Sequence, residues 1–245
     1  MKALLKHLMG FLLSLRAALW TLGLLALALL AGAFIMPLRQ EEFQAIHSIP
    51  LFLWLQEQPL SITWWLWLSV GLLAVLTVNT IACSIESIIK KRRATQWLLL
   101  ISPQIIHIGF LFILLAHLLS ATGGAKGMAV AGEGSSFMLP GNAVLLIKNI
   151  NIQTDPAGYI ADWAVDVEYR TNGKTLKDVI SPNSPSLQGG LNINVKDLRA
   201  FPEKAVLLQI SRDPGAFWAL MGGIFFMLGI VTLAILRIKT EKQPL

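Results

Sequence analysis

Four stretches of the chain contain no Asp, Glu, Lys or Arg and are long enough to cross a bilayer: Ala17 to Leu38, Gln58 to Ile85, Ala94 to Ala125 and Pro214 to Leu236. A helix needs about 20 apolar residues to traverse ~30 Å of hydrocarbon, so four transmembrane helices are predicted. Between the third and fourth stretches the pattern changes from continuous to alternating. Trp163, Val165, Val167 and Tyr169 alternate with Asp162, Asp166, Glu168 and Arg170, the period-two rhythm of a half-buried strand. Asn172-Gly173 follows, a favoured pair for a tight hairpin turn. Leu191, Ile193 and Val195 alternate with Asn192, Asn194 and Lys196, and Val206, Leu208 and Ile210 repeat the rhythm more weakly. With Ala143 to Ile152 and Met128 to Ala131, five to seven strands are expected and no helix. The predicted fold is therefore a four-helix membrane protein carrying an antiparallel β domain, a sandwich or open barrel.

Residues 1–36 are expected to form a basic N-terminus and the first span, 37–63 an outer loop with an interfacial helix, and 64–88 the second span. Residues 89–101 form a basic inner loop and interfacial segment, and 102–122 the third span, with Ser102 as N-cap and Pro103 as first helical residue. The β domain occupies 123–213, the fourth span 214–237 and a short tail 238–245. Phe43, Ile46, Leu51, Phe52, Leu53 and Trp54 make the 37–63 loop too apolar to be free, hence the interfacial helix. Trp64, Trp65 and Trp67 mark the outer end of the second span as an aromatic belt. Gly215, Ala219 and Gly223, spaced by four, and Gly222 and Gly229, spaced by seven, would let the fourth helix approach a neighbour closely. Thr77 and Asn79 are expected to hydrogen-bond across helices.

Charge then fixes an orientation. Half of the 20 Lys and Arg residues flank the spans on one side: Lys2, Lys6, Arg16, Lys90, Lys91, Arg92, Arg93, Arg237, Lys239 and Lys242. Only Glu86 and Glu241 oppose them there. By the positive-inside rule that side is the cytoplasm, which puts both termini inside and the β domain outside the inner membrane. The net charge of +6 is thus a topology signal facing anionic lipid, and nucleic-acid binding is not expected. The first span also has the form of a signal peptide, with Lys2, Lys6 and Ala31-Gly32-Ala33. Its apolar run exceeds a typical signal core, so an uncleaved anchor is expected. Hydrophobic residues make up 55% of the chain and charged residues 14%, which leaves little polar surface for enzymatic chemistry.

The region 123–213 contains no cysteine and no histidine, which excludes a disulfide framework, a thiol-exchange motif and a His/Cys metal cage there. Gly173-Lys174-Thr175 lacks the glycine-rich lead of a P-loop, and His47 in the first outer loop reads as a solvated side chain. Cys83 reads as a buried, inert thiol. Candidate chemistry concentrates on two histidines inside the third span, because an ionisable residue in a membrane helix is by default a site hypothesis. Counted from Pro103, His107 lies ~6 Å and His117 ~21 Å along the helix, and they point about 80° apart. They cannot both ligate one haem. A neutral imidazole is an apt iron ligand in an apolar setting, and Gly109, Phe110 and Phe112 would leave room beside His107 for a flat ring. His107 is the stronger candidate and His117 the weaker.

The ordered motifs resemble the ResB (CcsB) proteins of System II cytochrome c biogenesis. The resemblance is carried by Trp65 to Cys83, ending in Val78-Asn79-Thr80-Ile81-Ala82-Cys83, by His107-Ile108-Gly109, and by Ala131-Gly132-Glu133-Gly134. It continues through Ser181-Pro182-Asn183-Ser184-Pro185, Gly189-Gly190 and Arg212-Asp213-Pro214-Gly215. The resemblance implies a partner membrane protein of the ResC (CcsA) type, haem as a transported or transiently bound group, and apocytochrome c as the acceptor. It implies His107 as a haem axial ligand. It also implies that the chain is a non-autonomous subunit of a holocytochrome c synthase, since it lacks the tryptophan-rich haem-handling motif. Its outer domain is compact for that family. Two rivals stand beside it: a cofactor-free assembly scaffold whose β domain docks a secreted partner, and a haem or quinone subunit of an electron-transfer chain. The last expects paired histidines on facing helices.

Overall fold

A computed structural model gives the fold and describes residues 10, 14–90, 97–171, 173–200 and 202–241. Lys2, Lys6, Lys91, Arg92, Arg93, Asn172 and Lys242, on which parts of the charge and turn argument rest, lie outside the described residues. The chain forms two compact units: Met1–Ile46 with Pro50–Thr122 and Pro214–Leu245, and His47–Ile49 with Gly123–Asp213.

The first unit is helical. Its elements are α1 (Leu15–Leu38), α2 (Gln40–Phe43), α3 (Leu51–Glu57), α4 (Leu60–Lys90), α5 (Trp97–Gly123) and α6 (Ala216–Glu241). Four of these helices are long and apolar enough to cross a membrane, within Leu15–Leu38, Leu60–Ile89, Ile101–Gly123 and Ala216–Lys239. The membrane-helical class expected from the apolar runs is therefore present. Ser14 caps α1, its Oγ accepting from the Ala17 amide at 3.1 Å. Helix α1 then packs along α4, where a Cβ at Gly32 would collide with the Trp65 ring. Asn79 Nδ2 donates to the Ser14 carbonyl at 3.5 Å, the cross-helix bond expected of a buried amide. Thr77 instead donates to the carbonyl of Leu73 on its own helix.

Two local expectations change. Helix α5 begins at Trp97, so Pro103 lies inside it and Ser102 does not cap it. A proline removes one helical N–H bond, here to the carbonyl of Leu99, and the apolar run continues the helix across the gap. The tryptophans at the start of α4 also separate: Trp64 and Trp67 are exposed, but Trp65 turns inward and is 5% exposed. There it meets Phe43, at 6.3 Å between ring centroids, and Phe43 meets Trp54 at 5.1 Å. The apolar loop thus forms the short helices α2 and α3 and buries Phe43, Trp54 and Leu55 within the protein.

The second unit is a two-sheet antiparallel sandwich, and the open-barrel alternative does not hold. Its strands are β1 (Ala125–Gly132), β2 (Ser136–Leu139), β3 (Ala143–Thr154), β4 (Ile160–Thr171), β5 (Lys174–Ile180), β6 (Ser186–Gln188), β7 (Leu191–Arg199) and β8 (Ala205–Arg212). One sheet runs β1-β8-β7-β6 and the other β2-β3-β4-β5. Alternate residues of each strand enter one core, with Leu145, Ile147, Ile150, Val165, Val167, Ile180, Ile193 and Leu208 fully buried. Each such side chain contributes about 1.5–3 kcal/mol of hydrophobic stabilisation. Buried polar groups tie the sheets together: Tyr169 Oη donates to Ser186 Oγ at 2.7 Å, and Ser186 donates to Asp178. Burial pushes the Tyr169 phenol above its ordinary pKa; its hydrogen bond with Ser186 opposes this and the Asp178 charge adds to it. Burial likewise tends to raise the Glu168 carboxyl, but Lys148 and Arg170, each 3.4 Å away, outweigh it and hold Glu168 below its ordinary value.

Candidate functional site

His107 stands on α5, half-buried, with α4 alongside. Its Nδ1 is hydrogen-bonded to Ser84 Oγ at 2.7 Å, a bond that joins α4 to α5. A neutral imidazole carries one N–H and one lone pair. With Nδ1 engaged by Ser84, Nε2 has no protein partner among the described residues. The donor type, the apolar surroundings and the singly engaged ring are those of a residue that could hold a haem iron.

The space expected beside His107 is arranged differently. Gly109 lies against α6: a Cβ on it would collide with the backbone of Phe226 and would sit 2.8 Å from the Gly222 carbonyl. Its lack of a side chain therefore serves helix packing. Phe112 is likewise committed to α6, stacking at 5.4 Å on Trp218 and 5.8 Å on Phe225. Ten residues on, His117 is exposed on α5 and has no hydrogen-bond partner among the described residues. The two histidines share one helix, so within the described residues no second histidine faces His107 across a helix pair.

Two neighbours escaped sequence reasoning. Ser84 is one hydroxyl among several on α4, and nothing in its local pattern marks the histidine 23 positions later as its partner. Gln104 lies one turn before His107, is 8% exposed, and has neither side-chain oxygen nor nitrogen hydrogen-bonded. An amide free of charge inside an apolar run was the available signal.

Outside the helices, the motif residues turn out to build turns. Glu133 Oε1 accepts from the Ile150 amide at 2.9 Å, and Lys204 Nζ donates to the Ile150 carbonyl at 2.9 Å. Both clamp β3 just after the irregularity between Ile147 and Asn149. Gly134 adopts φ 81°, a left-handed conformation that glycine tolerates, and Asn183 and Gly190 adopt φ 60° and 77° in the turns around β6. His47 also changes place. Its carbonyl accepts from the Lys126 amide at 2.8 Å, which ties His47–Ile49 to the β unit, so that unit includes one exposed histidine. No group of three or more His, Cys, Asp or Glu suited to a metal ion occurs among the described residues.

No family model and no curated protein matches the chain. Among solved structures it is similar to a protein described as "Cytochrome c Heme Lyase CcmF", with a TM-score of 0.47 and 14% identity. The likeness covers 90% of this chain and 34% of that one, so the chain spans about a third of that protein's length.

Proposed function

We propose that the chain is a membrane subunit of a System II cytochrome c biogenesis complex, which helps carry haem outward and present it for covalent attachment to apocytochrome c. The observation that carries this reading is a histidine within a membrane span whose Nδ1 is held by a neighbouring helix and whose Nε2 is left open. It is supported by the ordered ResB-like motifs along the chain. Haem is here the cargo. This chain's part is to supply one neutral nitrogen donor in an apolar setting, where a fixed charge would be far more expensive to hold. A second axial donor would come from a ResC-type partner, because His117 shares a helix with His107. The β unit, expected outside the inner membrane from the charge pattern, would hold the partner and the apocytochrome. Covalent attachment would be completed together with that partner.

The test is His107→Ala in cells that express the partner and a reporter cytochrome c. The expected result is loss of copurified haem and at least a tenfold fall in covalent haem on the reporter. Unchanged levels of both would overturn the ligand role.

One observation favours a cofactor-free scaffold instead. The Ser84–His107 bond is also what a simple helix-to-helix tie would look like. That reading predicts no haem absorbance in the partner complex and a functional His107→Ala variant.

A further inference from the structure

We propose that Ser84 is the positioning residue of the His107 site: its Oγ accepts a hydrogen bond from Nδ1–H, fixes the imidazole in the Nδ1–H tautomer, and so leaves the Nε2 lone pair for iron. This rests on the haem-ligand reading above and adds what selects the nitrogen.

Ser69, Thr77 and Thr80 each donate to the carbonyl four residues earlier on their own helix, the usual fate of a hydroxyl in an apolar helix. Ser84 instead meets the imidazole on α5, 2.7 Å away and 23 residues distant in sequence. A serine oxygen both donates and accepts, so two arrangements are chemically open. If Ser84 donated to Nδ1, the ring proton would sit on Nε2, and that nitrogen would have no lone pair for a metal. If Ser84 accepts from Nδ1–H, the Nε2 lone pair is free. Only the second arrangement lets a neutral His107 ligate through the nitrogen that lacks a protein partner. The same bond does two further things. It restrains rotation of the ring about its Cβ–Cγ axis, and it leaves electron density on the imidazole, which makes Nε2 the stronger donor. Loss of such an outer partner typically weakens metal binding by about 10–100-fold. A less basic ligand also stabilises ferric iron less, so the midpoint potential of bound haem should rise.

The experiment uses the full chain purified in detergent and titrated with haemin, followed by Soret absorbance and then by potentiometric titration. Ser84→Thr and Ser84→Val are compared because they are nearly the same shape and differ in the hydroxyl. Their haem-free melting temperatures report whether both fold. Ser84→Thr should keep the wild-type affinity and potential. Ser84→Val should bind haemin about 10–100-fold more weakly and at a higher midpoint potential. Equal affinity and potential in the two variants would overturn the role of Ser84, provided His107→Ala loses binding. If His107→Ala binds haemin as the wild type does, or the wild type binds none, the ligand reading beneath it falls instead.

Discussion

His107, with Ser84 hydrogen-bonded to it and Gln104 one turn before it on the helix, is the candidate site among the described residues. His107 was legible from sequence because a histidine interrupting an apolar run of membrane length is costly and conspicuous. Ser84 was not, since helical serines commonly bond their own backbone and the choice of a partner on another helix depends on tertiary packing. Gln104 presents the opposite case, a buried amide with nothing bonded to it. An unsatisfied buried polar group costs about 1–3 kcal/mol. Gln104→Leu, close in size and free of polar atoms, should therefore raise the stability of the isolated chain by about that much, read from its thermal unfolding in detergent. A lower stability would mean that the amide is satisfied in the protein as it exists in detergent.

Between elements, the packing of α5 on α6 is set by small residues at one spacing rather than another. Sequence inspection picks out repeats of both four and seven on α6. The structure uses seven: Cβ atoms at Gly215, Gly222 and Gly229 would all strike α5, near Ala116, Ile113 and Ile106, while one at Gly223 would meet nothing within 4 Å. The reason is geometric, because seven residues return almost to the same helix face whereas four drift by about 40° per step. Gly222→Val should then destabilise the helical unit by about 1–3 kcal/mol through overpacking, and Gly223→Ala should leave its melting temperature unchanged or raise it slightly through the better helix propensity of alanine. Equal effects of the two would contradict the assigned face. The strands followed the same logic of legibility. Those with a clear inward and outward alternation, such as β4 and β7, were readable; β2 and β6, four and three residues long, were too short to show any period. Pro103 misled because a proline after a serine is a common helix start, and only the apolar residues on both sides reveal that this helix continues through it.

At the scale of the whole molecule, continuous apolar runs and alternating ones already separated a four-helix membrane unit from an antiparallel β unit. What they left out was the place of His47–Ile49 in the β unit, where the His47 carbonyl accepts from the Lys126 amide, far away in sequence. The motifs that resemble a haem-handling family sort by unit as well. Those in the β unit make turns and a clamp on β3, and those in the helical unit include His107, which meets Ser84 just past the motif that ends at Cys83. The proposed function therefore stands on one atom, the Nε2 of His107, acting as an iron ligand. The most direct test replaces the side chain and returns its chemistry from solution. In His107→Gly loaded with haemin, the Soret band should shift to that of a haem lacking this ligand, and added free imidazole should restore the wild-type spectrum. A His107→Gly variant whose haem content and spectrum match the wild type, with no response to imidazole, would contradict it.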